Sequence, residues 1–189
     1  MSTPLRWIPN AISLARISLV PMVIASIAEE RYQMGVSLFF IAGFSDGIDG
    51  WLARRFNWRS ELGAILDPIA DKLLLIGTFG VLAWIGLVPA WFAFLVIARD
   101  LLIMGGAITY HFLYGDLEGR PSNVSKLNTV LLLLYVVSVL LLQTGLIALP
   151  GDWAVWATQS LMWALLATMA ISTAGYVIEW VRRAKEHSA

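Results

Sequence analysis

Hydrophobic residues fall into six runs of about 20, each ended by a short polar, proline or glycine stretch. The runs predict spans over 10–28, 34–54, 61–87, 91–114, 127–149 and 153–180. Each is long enough to cross a hydrocarbon layer of about 30 Å as a helix. Pro21 lies inside the first span and predicts a kink or local irregularity there, because it removes a helix N–H. Pro68 lies early in the third, where a missing N–H matters least. Glu29-Glu30-Arg31, 86–89 and Pro150-Gly151-Asp152 read as short turns, and 115–126 is the longest polar loop. The expected architecture is an all-α integral membrane protein of six transmembrane helices, forming one domain over 1–189.

Composition supports that class. The chain is 59% hydrophobic and 14% charged, whereas soluble domains carry about 25% charged residues. Nine Trp suit anchoring at membrane interfaces. The absence of Cys excludes disulfides, thiolate metal sites and a cysteine nucleophile. A net charge of zero argues against nucleic acid as a partner. The first run has no small-residue cleavage site after it and reads as a retained span rather than a removed signal. Lys and Arg concentrate in the N-terminus, 54–59, 115–126 and the C-terminal tail, while the opposite loops hold only Arg31. The positive-inside rule therefore predicts a multi-pass protein of the cell's inner membrane, with both termini cytoplasmic.

Against this apolar background, one stretch is acidic in a regular way. Asp46 and Asp49 stand three residues apart, and Asp67 and Asp71 four apart, so each pair shares a helix face. A basic turn, Arg54-Arg55-Phe56-Asn57-Trp58-Arg59, separates them. Two antiparallel helices joined there would pool four carboxylates at the cytoplasmic end of the spans, lining a polar cavity. Such a cluster calls for neutralising cations. Hard, oxygen-binding divalent ions, Mg²⁺ or Mn²⁺, suit it, and two side by side are a recurring device for phosphoryl chemistry. The bland alternative is that the acids pair with Arg54, Arg55, Arg59 or Lys72 to hold a bundle together. Ionisable residues within a membrane are nevertheless functional by default.

The same stretch resembles the signature of the CDP-alcohol phosphatidyltransferases, D-x2-D-G-x2-A-R-x8-G-x3-D-x3-D. Every fixed position is matched, by Asp46, Asp49, Gly50, Ala53, Arg54, Gly63, Asp67 and Asp71. The resemblance implies transfer of a phosphatidyl group from CDP-diacylglycerol to an acceptor alcohol, with release of CMP. It implies two divalent ions held by Asp46, Asp49, Asp67 and Asp71, with Asp71 also taking the proton of the attacking hydroxyl. Gly50, Ala53 and Gly63 would let the nucleotide approach the helix backbones, or serve close helix packing. Arg54 would clamp the diphosphate. Asn10, at the start of the first span, is a further nucleotide-side candidate. Related enzymes suggest a homodimer.

The second half bears on the acceptor. Arg99-Asp100 and the run from Pro121 to Thr129 resemble the cardiolipin synthase branch, whose acceptor is phosphatidylglycerol. The sister branch uses glycerol 3-phosphate and carries more cations here, where this chain has Gly105-Gly106-Ala107. A small dianion needs several cations around it. Phosphatidylglycerol is therefore the favoured acceptor and glycerol 3-phosphate the alternative, with Arg99, Lys126 and Asn128 as acceptor-binding candidates. Arg99-Asp100 also reads as an intramembrane ion pair. Rival readings from other classes are an intramembrane prenyltransferase, a cation channel or transporter, and a non-catalytic CDP-lipid binder. The first has a longer chain, the second would carry its acids through the bilayer, and the third would not need the full acid set.

Overall fold

The computed structural model describes residues 8–56, 61–114, 123–147 and 149–187, within which some side chains are also left out of the description. The chain is all-helical: α1 (Ile8–Ala28), α2 (Tyr32–Arg55), α3 (Glu61–Trp84), α4 (Ala90–Tyr114), α5 (Asn123–Gln143) and α6 (Trp153–His187). Among the described residues, three helical segments have the length and apolarity to cross a membrane: Asn10–Ala28, Val124–Gln143 and Trp153–Ile178. Tyr32–Ser45 is a shorter apolar segment. α1 runs through Pro21 without interruption.

Helix ends follow local chemistry. After α1, the Arg31 N–H bonds to the Ser26 carbonyl and the Glu30 N–H to that of Ile27, closing the helix with Glu30 at φ 61°. After α3 the same pair of bonds runs from Leu87 to Leu82 and from Gly86 to Ala83, with Gly86 at φ 77°. This is the Schellman closure, and its left-handed residue is usually glycine. The third span thus ends three residues before the expected Leu87. The fifth span departs further from expectation. It starts at Asn123 and stops at Gln143, not at Leu149. The chain turns at Thr144–Gly145, where Gly145 has φ 70°, and the apolar residues after it are not helical.

The chain forms two compact units, each described on its own: residues 1–93 with 143–145, and residues 94–142 with 146–189. In the first, α1 packs against both α2 and α3. Its buried stripe is Asn10, Ser13, Arg16, Val20, Val23 and Ile27, a helical spacing of three and four. The stripe is polar in its first two turns and apolar beyond them. α2 answers with Val36, Phe39 and Ala42, and α3 with Ala70, Leu74, Thr78 and Leu82. At Gly77 a Cβ would lie 2.6 Å from Ile24 Cδ1, so the missing side chain lets α1 and α3 approach closely.

In the second unit, buried residues recur at Leu132, Val136, Val139 and Leu140 on α5, and at Met162, Leu165, Met169 and Ser172 on α6. Trp153, Trp156 and Trp163 are exposed, as lipid-facing aromatic side chains would be. Many hydroxyls on these helices bond to the carbonyl four residues back, as Ser26 does to Met22 at 2.7 Å and Ser138 to Leu134 at 2.7 Å. Each such bond satisfies a hydroxyl donor within its own helix. The left-handed conformation at Glu30 yields a test. Glu30→Gly is expected to stabilise the protein by about 0.5–1 kcal/mol, read as a higher melting temperature in detergent. Glu30→Val, β-branched at the same φ, is expected to lower it.

Candidate active site

The acids of α3 are held from α1. Asp67 and Asp71 lie one turn apart near the start of α3, and both are half-buried. The Ser13 hydroxyl donates to Asp67 Oδ1. Arg16 Nη1 donates to Asp71 Oδ1 at 3.0 Å. Ser13 and Arg16 are one turn apart on α1, so two rungs link the helices. The Arg16 side chain is fully buried, while that of Asp71 keeps 45% of its exposure. A guanidinium has no way to shed its charge and needs a carboxylate when taken out of water. Arg16 therefore turns inward, one of the two orientations its place in a lipid-embedded helix allows, and its partner is Asp71. Asn10, one turn before Ser13, is buried on the same face.

α2 is helical through Asp46, Asp49, Gly50, Ala53 and Arg54; the side chains of these five lie outside the described residues. Gly63 is buried in the first turn of α3. Residues 57–60 and 115–122, which hold Trp58, Arg59 and Arg120, lie outside the described residues as well. Among the described residues no three acidic or histidine side chains gather into a metal-binding group; two of the four expected ligands are not among them. What is described suits hard divalent ions in kind: two half-exposed carboxylates a turn apart, offering oxygen donors only.

The acceptor-side candidates lie in the second unit. Arg99 Nη1 donates to Asp100 Oδ1 at 2.8 Å, and Nη2 donates to Ser172 Oγ of α6 at 2.9 Å. The expected Arg99–Asp100 ion pair is thus made within α4, and the bond to Ser172 ties α4 to α6. Asn128 is buried, and its Oδ1 accepts from the Thr168 hydroxyl of α6 at 3.0 Å. Thr168 and Ser172 are one turn apart and serve α5 and α4 respectively. Lys126 is exposed near the start of α5. Sequence reasoning missed the roles of Ser13, Thr168 and Ser172. The available signal was spacing: 10, 13 and 16 on α1, and 168 and 172 on α6, place polar residues on one face of an otherwise apolar helix.

The family profile described as CDP-alcohol phosphatidyltransferase matches residues 6–174. A cardiolipin synthase (CMP-forming) of Homo sapiens is 32% identical over 149 residues, covering 70% of this chain and 50% of that protein. A cardiolipin synthase (CMP-forming) of Streptomyces coelicolor is 35% identical over 172 residues, covering 83% of this chain and 78% of that protein. A CDP-diacylglycerol–glycerol-3-phosphate 3-phosphatidyltransferase of Bacillus subtilis is 33% identical over 168 residues, covering 79% and 86%. The matched stretch is about half the length of the human and rat relatives.

The Arg99–Asp100 pair can be separated from any part in acceptor binding. Arg99→Met leaves the buried Asp100 without its guanidinium and is expected to cost about 3–5 kcal/mol, read as a large fall in melting temperature. Arg99→Met with Asp100→Leu is expected to restore most of it. If Arg99 also contacts the acceptor, the double variant keeps a raised KM for the acceptor with KM for the nucleotide lipid unchanged.

Proposed function

The chain belongs to the CDP-alcohol phosphatidyltransferase family, and within it we propose that this membrane protein transfers a phosphatidyl group from CDP-diacylglycerol to phosphatidylglycerol, forming cardiolipin and CMP. The observation that carries the reading is the complete acid set at the family spacing, with Asp67 and Asp71 half-exposed and each fixed by a side chain of α1. Six spans, both termini and the site on the cytoplasmic side of the inner membrane, and a homodimer complete the proposal.

Asp46, Asp49, Asp67 and Asp71 would hold two Mg²⁺ or Mn²⁺ ions. Such ions, when bound, neutralise the diphosphate and polarise the phosphorus under attack. Asp71 takes the proton of the acceptor hydroxyl as its oxygen bonds to the phosphorus bearing diacylglycerol. The bond from that phosphorus to the CMP oxygen breaks, and its electron pair leaves with CMP. Arg54 orients the diphosphate through its planar donors. Gly50, Ala53 and Gly63 leave room for the nucleotide, and Asn10 lies on its side of the site.

The human and Streptomyces relatives bear names from the cardiolipin branch and the Bacillus relative one from the glycerol 3-phosphate branch. The choice between acceptors leans on charge. Arg99 has two N–H groups committed to Asp100 and Ser172, so its surroundings are locally neutral. That is a poor offer to a dianion and an adequate one to a phosphodiester whose tails partition into lipid. Lys126, exposed near the start of α5, is the candidate for the headgroup phosphate; Asn128, two residues on, is buried and bonded to Thr168 of α6, so it does not face the same way.

The test is to incubate purified protein with CDP-diacylglycerol, Mn²⁺ or Mg²⁺, and each alcohol in turn. CMP release and cardiolipin formation with phosphatidylglycerol are expected, and chelation should abolish them. Product with glycerol 3-phosphate alone would overturn the acceptor, and no release with any alcohol would overturn the reaction. Asp71→Asn should lower kcat by at least about 10²-fold while CDP still protects the protein against heat.

A further inference from the structure

α1 carries none of the signature residues, yet it makes the described side-chain contacts to both α3 acids. Its buried face is polar for two turns, Asn10, Ser13 and Arg16, before it becomes apolar at Val20. Ser13 and Arg16 are completely buried, and each contacts a different carboxylate. Burying a serine and an arginine at the packed face of a membrane helix is costly unless both are satisfied. Packing alone would be better served by apolar residues such as Val36 and Ala42 of α2 or Ala70 of α3. Purely neutralising the acids would require charge, which Ser13 lacks. The feature the two contacts share is that each fixes one oxygen of a carboxylate that stays half-exposed. Outer-shell partners of this kind set the direction in which a carboxylate meets a metal ion.

We infer that Ser13 and Arg16 are positioning residues for the reaction: α1 aims the carboxylates of Asp67 and Asp71 toward the divalent ions and the nucleotide diphosphate. This rests on the proposed role of those two acids. The pair works as a register device. The three-residue step on α1 matches the four-residue step on α3, so a single register of the two helices serves both rungs. Arg16 contributes a second property. Its two-pronged, planar head fixes direction, whereas the ammonium of a lysine supplies the same charge without it. Arg16→Lys therefore isolates orientation from charge. Ser13→Ala removes orientation with no charge change, and Ser13→Thr restores the hydroxyl.

The experiment compares wild type, S13A, S13T, R16K and D71N in detergent. Mn²⁺ binding in the presence of CDP is read by calorimetry, folding by thermal melting without metal, and turnover as kcat and KM for CDP-diacylglycerol. S13A and R16K are expected to weaken Mn²⁺ binding by about 10–100-fold, with kcat falling in step. KM for CDP-diacylglycerol should change far less, and S13T should stay close to wild type. If S13A and R16K bind Mn²⁺ and turn over like wild type while D71N does not, the acids stand as the site and α1 has no positioning role. If S13A and R16K melt earlier but their folded fraction binds Mn²⁺ normally, the contacts are structural and the inference fails. Normal Mn²⁺ binding and turnover by D71N would overturn both the inference and the reading beneath it.

Discussion

A guanidinium sealed against a carboxylate fixes the register of the first unit. Arg16 is fully buried in a helix whose other faces are apolar. Its charge is permanent, and the alternative to Asp71 is an unpaired ion in a medium that solvates it poorly. Association of membrane helices gains little from burying apolar side chains, because lipid is as apolar as leucine. Polar contacts therefore decide how far one helix slides along another. With Arg16 on Asp71 and Ser13 on Asp67, a one-residue slip of α1 would break both contacts and bury the charge alone. The close approach at Gly77 against Ile24 then follows from that register further along the same pair of helices.

The elements were legible because hydropathy changes sharply where the chain changes direction. Glu29 to Arg31, Gly86 to Pro89 and Pro150 to Asp152 separate helices as expected. The fifth helix was misjudged at both ends for one reason. The run from Leu127 to Leu149 is apolar nearly throughout, so its mean character hid Gly145, whose left-handed backbone ends the helix. In the other direction, Val124 and Ser125 belong to the helix although Ser, Asn and Lys gave that region a loop-like composition. The buried faces were not legible. In a membrane, residues facing lipid and residues facing other helices are both apolar, so Leu14 and Val20 look alike in sequence although one is exposed and the other buried.

The acids were legible for a different reason: four carboxylates stand out in an apolar chain, and their spacing sets their faces. Their partners were not. Ser13 and Asp67 are 54 residues apart and Arg16 and Asp71 are 55 apart, and no local rule pairs one helix with another at that distance. The structural alternative named Arg54, Arg55, Arg59 and Lys72 as counter-charges because they are near in sequence; the described partner of Asp71 is the buried arginine on α1. Arg99 and Asp100 are adjacent, so their ion pair could be anticipated, whereas the Ser172 and Thr168 contacts that link it and Asn128 to α6 could not.

The two polar clusters differ in a way that bears on chemistry. Around Arg99, the charges are closed off: the side chains of Arg99 and Asp100 keep 11% and 7% of their exposure. An inward-facing pair of this kind, bonded to a neighbouring helix through Ser172, holds helices together and leaves little charge exposed to a ligand. In the α1–α3 cluster the cation is sealed, but its carboxylate keeps 45% of its exposure. Exposure of an acid whose partner is buried is wasteful for stability, since water weakens the attraction that offsets the desolvation of the arginine. A site that must receive a cation-bound diphosphate needs that asymmetry: one side dry enough to fix the carboxylate, the other open enough to admit the ligand. Asp71 shows that asymmetry, with a fully buried partner and 45% of its own side-chain exposure kept, in keeping with the site proposed there.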